Sequence, residues 1–318
     1  MKIALIQPRI TDNLTDNLKQ VIDALDHCRE KADLAVLPEL WNTPFINSEI
    51  LLHQDDGPTI LRALQESCKK NGLWLIAGSI VWKEFSSNPS DPFSKNSIKS
   101  SSKNSDLSFR LRNRCFVIND KGEILTFADK LHLLEVHTQK HSYYESDVFE
   151  AGTSLCTFGT PWASCALCIC FDVRFCELTR LLCENAQILF VPANFNANVG
   201  RKQWKSLLCA RAIENEVFVI GVNPQAAQYE NMSTYGHSLV VAPDGTIIQE
   251  MSADEQLSII EIQPDRVQKI RARSPYWNLR RKDLYSLSSS ITIEKPDERY
   301  PMSRTQKRKI SLNVDNFE

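Results

Sequence analysis

One cysteine in this 318-residue chain stands where a thiol can act as a nucleophile. In the segment ASCALCICFDVRFCELTRLL, an apolar run ends at Cys170 and a helix-like stretch begins within a few residues. Backbone N–H groups and the positive end of a helix at such a turn favour the thiolate, which is the attacking form, over the thiol. The backbone N–H of Phe171 could also bind an oxyanion there. The pattern therefore predicts covalent catalysis by Cys170.

The neighbouring cysteines admit other interpretations. Cys165, Cys168 and Cys176 are interpreted as small buried hydrophobic residues. The spacing of Cys165 and Cys168 also fits half of a zinc site, so a zinc or redox module is a weaker alternative. On a strand, however, Cys168 and Cys170 share one face while Cys165 points to the other, and no second ligand pair follows at zinc spacing. We therefore expect no metal site.

Two further segments place a charged side chain after an apolar strand. In DLAVLPELWNTPF the strand 34–37 leads to Glu39, and in GEILTFADKLHLLEVH a strand leads to Lys130. A lone residue of either type at such a position is most often solvated. If Glu39 were enclosed by its apolar neighbours, its pKa would rise and it could act as a base near neutral pH. A buried Lys130 could stabilise an oxyanion and lower the pKa of a nearby thiol.

The elements that must position these residues alternate along the chain. Short apolar runs, typical of strands buried on both faces, occur at 3–7, 34–37, 73–80, 115–118, 165–170, 188–192, 217–222, 238–242 and 258–262. Helix-compatible stretches, with apolar residues three and four apart, occur at 14–31, 58–71, 174–185, 201–215 and 264–271. This alternation predicts α/β layers.

Composition narrows the classes of function. With 42% hydrophobic residues, the chain can bury a large core in one domain or two. Its formal charge of −2 does not favour a nucleic acid or an anionic membrane as partner, so a small-molecule substrate is expected. The N-terminus lacks a secretion-signal pattern, and no apolar run reaches the roughly 18 residues of a membrane span. Together with ten irregularly spaced cysteines, these features predict a cytoplasmic protein with reduced thiols.

Several motifs resemble those of one family. PELWN, ADKLHL, YYES and CFDVRFCEL occur in the order and approximate spacing of the nitrilase superfamily, the carbon–nitrogen hydrolases. VPANFN, WKSLLCARAIENEVFVIGVN, YGHSLVVAPDGTII and RRKDLY are also similar to family segments. The resemblance implies a four-layer αββα sandwich and a homodimer. It also implies Glu39 as general base, Lys130 as oxyanion-stabilising lysine, Glu145 as a second, positioning glutamate and Cys170 as nucleophile, with no cofactor.

The residues after the nucleophile, CFDVRF, look like the Nit and ω-amidase branch. That resemblance implies hydrolysis of the terminal amide of α-keto acid amides such as α-ketoglutaramate and α-ketosuccinamate. An N-carbamoyl amine or amino acid amidohydrolase, or a nitrilase, would use the same site. A catalytically silent binding or scaffold protein on the same fold is an alternative from another class.

Four side chains are candidates for binding the substrate. Arg174 could pair with a substrate carboxylate, or it could instead hold the turn by pairing with Asp172 or Glu177. The family resemblance implies that the other three line the pocket, namely Phe195, Asn196 and Trp41.

The remaining segments fall outside the periodic pattern. Residues 86–108 are rich in serine and predict a solvated loop insertion between strands rather than a domain boundary. We expect one hydrolase domain at 1–286 that contains this insertion, followed by a C-terminal tail at 287–318. The tail is either solvated or packed across a partner subunit.

Overall fold

A computed structural model describes residues 1–85, 98–99, 108–137, 142–229 and 232–289. Most of the insertion expected at 86–108, and all but the first three residues of the tail expected at 287–318, lie outside the described residues. Within the described ranges, no helix is long and apolar enough to cross a membrane.

The described helices are α1 (Leu14–Cys28), α2 (Asn47–Leu52), α3 (Gly57–Asn71), α4 (Cys176–Leu182), α5 (Ala197–Asn215) and α6 (Arg266–Arg273). All except α2 were expected from the sequence. Helix α1 begins where the side chain of Asn13 accepts hydrogen bonds from the N–H groups of Thr15 and Asp16. Helix α5 begins four residues earlier than expected because Asn196 caps it in the same way.

The described strands, in chain order, are β1 (Lys2–Ile6), β2 (Leu34–Val36), β3 (Trp74–Phe85), β4 (Ile98–Lys99), β5 (Ser108–Ile118), β6 (Ile124–Asp129), β7 (Glu135–His137), β8 (Ser142–Tyr144), β9 (Cys156–Gly159), β10 (Ser164–Leu167), β11 (Ile188–Pro192), β12 (Phe218–Val222), β13 (Gln228–Tyr229), β14 (Met232–Ser233), β15 (Leu239–Val241), β16 (Ile247–Glu250) and β17 (Leu257–Glu261). Each apolar run in the sequence contributes a strand. The expected strand 115–118 is the last part of β5, whose earlier residues are mostly polar.

Most of these strands form two mixed sheets. The first has the order β17-β1-β2-β3-β5-β4, with β6 paired to β5, and the second has the order β16-β15-β12-β11-β10-β9. In the first sheet β1, β2 and β3 are parallel, and in the second β10, β11 and β12 are parallel. At the edge of the first sheet, β4 pairs with the start of β5.

Alternate residues of each central strand face different layers. In β1, Ala4 and Ile6 pack with residues of α1 and α3, whereas Ile3 and Leu5 pack in a core shared with the second sheet. On the second sheet, Trp204 and Leu208 of α5 lie against β12. The layers therefore follow the expected order αββα.

Candidate active site

Glu39 follows strand β2 and is fully buried. Its backbone is tied to the other sheet, since its N–H donates to the carbonyl of Ala193 (3.2 Å), directly after β11. The chain around it is shaped by β3, where Ser79 Oγ accepts from the N–H of Leu40 (3.1 Å). The two sheets are thus joined at the carboxyl ends of β2 and β11, beside the Glu39 carboxylate.

Lys130 follows strand β6 and is 1% exposed. Its ammonium donates to Oε1 of Glu39 (2.8 Å) and to Oε2 of Glu145 (2.7 Å). Glu145 begins a short 3₁₀ turn, is fully buried, and also accepts from the N–H of Leu134 (2.7 Å). Neither charged residue is the solvated surface group that is common at such positions.

Cys170 is the first residue of a 3₁₀ turn that runs to Arg174, and strand β10 already ends at Leu167. Its φ of 47° lies in the left-handed region, which costs about 1–2 kcal/mol for a residue with a Cβ. Asp172 holds this turn, since its carboxylate accepts from the N–H of Ile169 (3.0 Å) and from the N–H of His132 (2.8 Å). Asp172 thereby fastens the cysteine turn to the segment that follows Lys130.

The Cys170 thiol interacts with the Glu39 carboxylate and with the Asn194 backbone. Burial raises the pKa of this thiol well above its usual range, and the negative charge of Glu39 raises it further, while Lys130 opposes both effects. The expectation that the thiolate would be favoured at this turn is therefore wrong, although Lys130 lowers the pKa of the thiol as expected. In the free protein the thiol form is favoured, so attack requires that a base take its proton.

The two charged partners are suited to that transfer. Burial raises the pKa of Glu39, against the opposing charge of Lys130, as its apolar surroundings led us to expect. Burial alone would lower the pKa of Lys130, but Glu145 and Glu39 raise it well above its ordinary value, so the ammonium is permanent near neutral pH. Among the described residues, no hydrogen-bond partner is found for Oε2 of Glu39, so that oxygen is available for the thiol proton.

Two residues near the cluster were not anticipated from the sequence. Asn113 in β5 is 1% exposed and donates to Glu39 Oε1 (2.9 Å) and to Glu145 Oε1 (3.0 Å). Asn194, after β11, places its backbone at the Cys170 sulfur. A usable signal for Asn113 was present, because it is a polar residue on the strand face that also carries buried Leu111 and Cys115.

Arg174 lies beside the nucleophile turn and pairs with neither carboxylate proposed for it. Its guanidinium lies 5.5 Å from the ring centroid of Phe171 and 5.4 Å from that of Phe195, and its Nη1 donates to Gln203 Oε1 (2.6 Å). Among the described residues, no hydrogen-bond partner is found for its buried Nε. Asp172 is instead bonded to the backbone as described above. Arg174 therefore retains hydrogen-bonding capacity for an anionic group.

The other expected binding residues divide into two groups. Phe195 is buried against Trp204 (4.7 Å between ring centroids) and faces Arg174. Asn196 is not brought to the cluster as a pocket wall, because its side chain caps α5. Trp41 is not brought there either, because it is fully buried in the core beneath α1 and α3 and its indole N–H donates to Ala77 (2.8 Å).

The backbone N–H of Phe171 lies in the first turn of the 3₁₀ helix, where N–H groups lack intrahelical acceptors.

A cavity of about 530 Å³ lies elsewhere, along α4 and the segment 280–287. None of the four expected catalytic residues lines it. Its walls are mainly charged and are formed by Cys176, Glu177, Arg180, Glu184, Glu214, Arg280, Lys282, Tyr285, Ser286 and Leu287. The chemistry described above therefore belongs to the enclosed cluster around Cys170 and not to this opening.

Residues 2–272 match the family model described as carbon-nitrogen hydrolase. The chain belongs to the carbon–nitrogen hydrolase family. It is 31% identical to nitrilase homolog 2 of Dictyostelium discoideum over 295 residues, which are 91% of this chain and 83% of that protein. It is 28% identical to omega-amidase NIT2 of Mus musculus over 292 residues, which are 91% of this chain and 98% of that protein.

The fold is also similar to a solved structure of this family. The crystal structure of the Caenorhabditis elegans NitFhit protein matches with a TM-score of 0.77 and 27% identity, covering 92% of this chain and 67% of that one. The match agrees with the αββα order of layers. These relatives place the chain in the Nit branch of the superfamily, as the motif after Cys170 indicated.

Proposed function

We propose that this carbon–nitrogen hydrolase is an ω-amidase that converts α-keto acid amides, such as α-ketoglutaramate and α-ketosuccinamate, to the keto acid and ammonia. The observation that carries the proposal is the enclosed set of Glu39, Lys130 and Glu145 beside the Cys170 thiol. The similarity to proteins named omega-amidase, over about nine tenths of the chain, supports the choice of substrate.

In the proposed mechanism, Oε2 of Glu39 takes the thiol proton and the Cys170 sulfur attacks the amide carbon. Lys130 and the N–H of Phe171 stabilise the oxyanion of the tetrahedral intermediate. The intermediate collapses when Glu39 returns the proton to the departing nitrogen, which releases ammonia and leaves a thioester. Water, deprotonated by the same carboxylate, attacks the thioester and releases the acid and the thiol.

Arg174 would bind the far carboxylate of the substrate. Its guanidinium lies between two aromatic rings beside the nucleophile turn, and its Nε is buried and unpaired among the described residues. A half-buried guanidinium without a carboxylate partner is suited to a charged, bidentate contact with an incoming carboxylate. Phe195 would form the wall next to it. A substrate with a carboxylate opposite the amide satisfies this arrangement.

The reaction and the substrate can be tested together. Ammonia release is measured with α-ketoglutaramate, glutamine, an N-carbamoyl amino acid and a simple nitrile, and the mass of any acyl adduct on Cys170 is recorded. We expect the highest kcat/KM with the keto amide. Cys170→Ala should lower it by more than about 10³-fold and leave the melting temperature nearly unchanged, because it removes only the nucleophilic sulfur.

Turnover of the carbamoyl compound or the nitrile without the keto amide would contradict the substrate. A Cys170→Ala variant with full activity would contradict the mechanism and would favour a binding protein on this fold.

We also propose that the protein acts in the cytoplasm as a homodimer, with one hydrolase domain at 1–286 and a tail at 287–318. All ten cysteines lie among the described residues and none of them forms a disulfide there, which suits a reducing compartment. Sedimentation equilibrium of the full chain tests the dimer, and a purely monomeric protein at micromolar concentration would exclude it.

A further inference from the structure

Asn113 completes a closed ring of hydrogen bonds around the two buried carboxylates. Its side-chain amide has two N–H groups, and it donates to Glu39 Oε1 (2.9 Å) and to Glu145 Oε1 (3.0 Å). Lys130 makes the second bridge between the same two residues. The backbone of Asn113 also fixes the lysine, since the N–H of Lys130 donates to its carbonyl (3.0 Å). One residue therefore contacts every charged member of the cluster.

The register of β5 places this amide at the centre. Arg112 and Arg114 point to the opposite face, where both pair with Glu84. Asn113 faces inward and is 1% exposed. A polar side chain at this inward position requires partners, because an unpaired buried amide costs about 1–3 kcal/mol. The two carboxylates are partners for both of its N–H groups.

The charges of the ring explain why a neutral donor is needed. Glu39 and Glu145 carry two negative charges in their ionised forms, and Lys130 supplies one positive charge. The N–H groups of Asn113 offset part of the remaining negative charge without adding a proton that titrates. Both donors to Glu39 converge on Oε1. Its Oε2 is thereby left free for Cys170.

We infer that Asn113 is a positioning residue of the catalytic centre, which fixes Oε2 of Glu39 as the proton-accepting oxygen and holds both carboxylates against Lys130. The inference rests on the proposed function, because it assigns Glu39 as the base. Asn113 itself does not touch the reacting atoms. Its effect is exerted through the orientation and charge of Glu39.

The test compares Asn113→Leu, Asn113→Asp and the matched control Asn119→Leu. Asn119 is also a buried asparagine in the β5–β6 hairpin, but it serves the turn, since its side chain bonds Lys121 and Glu123. We measure the pH profile of kcat/KM with α-ketoglutaramate. We also measure the pH profile of Cys170 alkylation by iodoacetamide, located by mass spectrometry, which needs no assumption about the substrate.

Asn113→Leu should lower kcat/KM by about 10²-fold, with KM changed less than about threefold, because the base is misplaced while the binding residues remain. The acid limb of its profile should move to higher pH, since lost hydrogen bonds to a carboxylate favour the protonated form. Asn119→Leu should lower the melting temperature and leave both profiles in place.

Asn113→Asp keeps the shape of the side chain and provides a second test if the leucine variant does not fold. Its activity relative to the wild type should recover as the pH falls, because only a protonated carboxyl can donate to Glu39 or Glu145. The inference is overturned if a folded Asn113→Leu matches the wild type in both profiles, or if Asn113→Asp shows no such recovery. Absence of keto amide turnover in the wild type, with normal alkylation behaviour, would instead count against the proposed substrate.

Discussion

At the scale of single residues, the cluster works with a protonated thiol rather than a stored thiolate. Burial and the charge of Glu39 both raise the pKa of Cys170, and Lys130 only partly compensates. In the proposed mechanism, the carboxylate of Glu39 is a base toward the thiol and an acid toward the departing nitrogen, which the amide substrate needs.

The first prediction follows from the effect of the Glu39 charge on the pKa of the Cys170 thiol. Glu39→Gln removes a negative charge beside the sulfur and leaves Lys130 close to it, so the pKa of the Cys170 thiol should fall. We expect iodoacetamide alkylation of Cys170 to begin at lower pH than in the wild type, although amide hydrolysis falls by more than about 10³-fold. Stopped-flow alkylation and ammonia release measure the two effects. Cys176, which was expected to be buried but is exposed, is the internal reference. A rise in the apparent pKa of Cys170 would contradict the prediction.

A second prediction concerns the partner of Arg174. Gln203 in α5 accepts from Nη1 of Arg174 (2.6 Å) and thereby restrains the guanidinium. Gln203→Leu should raise KM for α-ketoglutaramate by about 3- to 10-fold, with kcat within about twofold, because a freed guanidinium loses orientation and not charge. A short neutral amide should show no change in KM. Gln65→Leu on α3 is the control variant and should leave KM unchanged. If Gln203→Leu raised KM equally for α-ketoglutaramate and for the short neutral amide, the result would argue against a carboxylate-binding role for Arg174.

Glu39 and Lys130 could be singled out from the sequence because each follows an apolar strand, whereas Glu145 was expected only from the family motifs. The roles expected for all three came from the same motifs.

Asn113 was not predicted, because its neighbours Arg112 and Arg114 made the first half of β5 look like solvated chain. The alternation with Leu111 and Cys115 indicates the inward position of Asn113, and the pairing of the strand with β3 and β6 fixes it.

At the scale of the elements, a bulge in β3 shapes the segment that carries Glu39. The register between β3 and β5 shifts between Ile76 and Ser79, and Gly78 within the bulge has a φ of 61°. A Cβ on Gly78 would meet the carbonyl of Pro38 and lie 2.8 Å from the side chain of Trp41. The glycine is therefore required by both the backbone angle and the space.

Gly78→Ala tests this contact. We expect a loss of about 3 kcal/mol or more in the free energy of unfolding and a fall in kcat of at least about 10²-fold, because the added methyl group displaces the chain that holds Glu39. Gly72→Ala is the matched control, since Gly72 also has a positive φ, 62°, but a Cβ there meets nothing within 4 Å. Its cost should stay near 1 kcal/mol with normal activity. Equal behaviour of the two variants would show that the bulge does not position the base.

Element positions were predictable wherever apolar residues are buried on both faces. The central strands of both sheets, and the helices that pack on them, lie where the periodicity predicted them. The ends of some elements are set instead by local hydrogen bonds to the backbone. The run expected as a strand to Cys170 ends at Leu167, because Asp172 pulls the chain into a 3₁₀ turn by accepting from Ile169 (3.0 Å). Helix α2 was missed because six residues show too little periodicity.

At the scale of the whole molecule, the two sheets each supply part of the proposed catalytic cluster. Strands β2, β5 and β6 of the first sheet carry the carboxylate and lysine side of the cluster. Strands β10 and β11 of the second sheet lead to Cys170 and Asn194. The distance between base and nucleophile is therefore set by how the inner faces of the sheets pack. A cavity made between the two sheets should therefore lower kcat more than an equally buried cavity made between a sheet and its helices.

Two isoleucines separate these contributions. Ile76 in β3 lies in the core between the sheets, whereas Ile60 in α3 lies in the core between the first sheet and its helices. Each is at most 1% exposed, so replacement by alanine should cost about 2–5 kcal/mol in either case. At a temperature where both variants are folded, Ile76→Ala should lower kcat by at least about tenfold, because the sheets settle toward the cavity and shift the sulfur relative to Glu39. Ile60→Ala should keep kcat within about twofold, since its cavity lies outside the inter-sheet layer. Chemical denaturation measures the free energy of unfolding, and steady-state kinetics measure kcat. If kcat fell in proportion to the loss of stability in both variants, a special role for the inter-sheet core would be refuted.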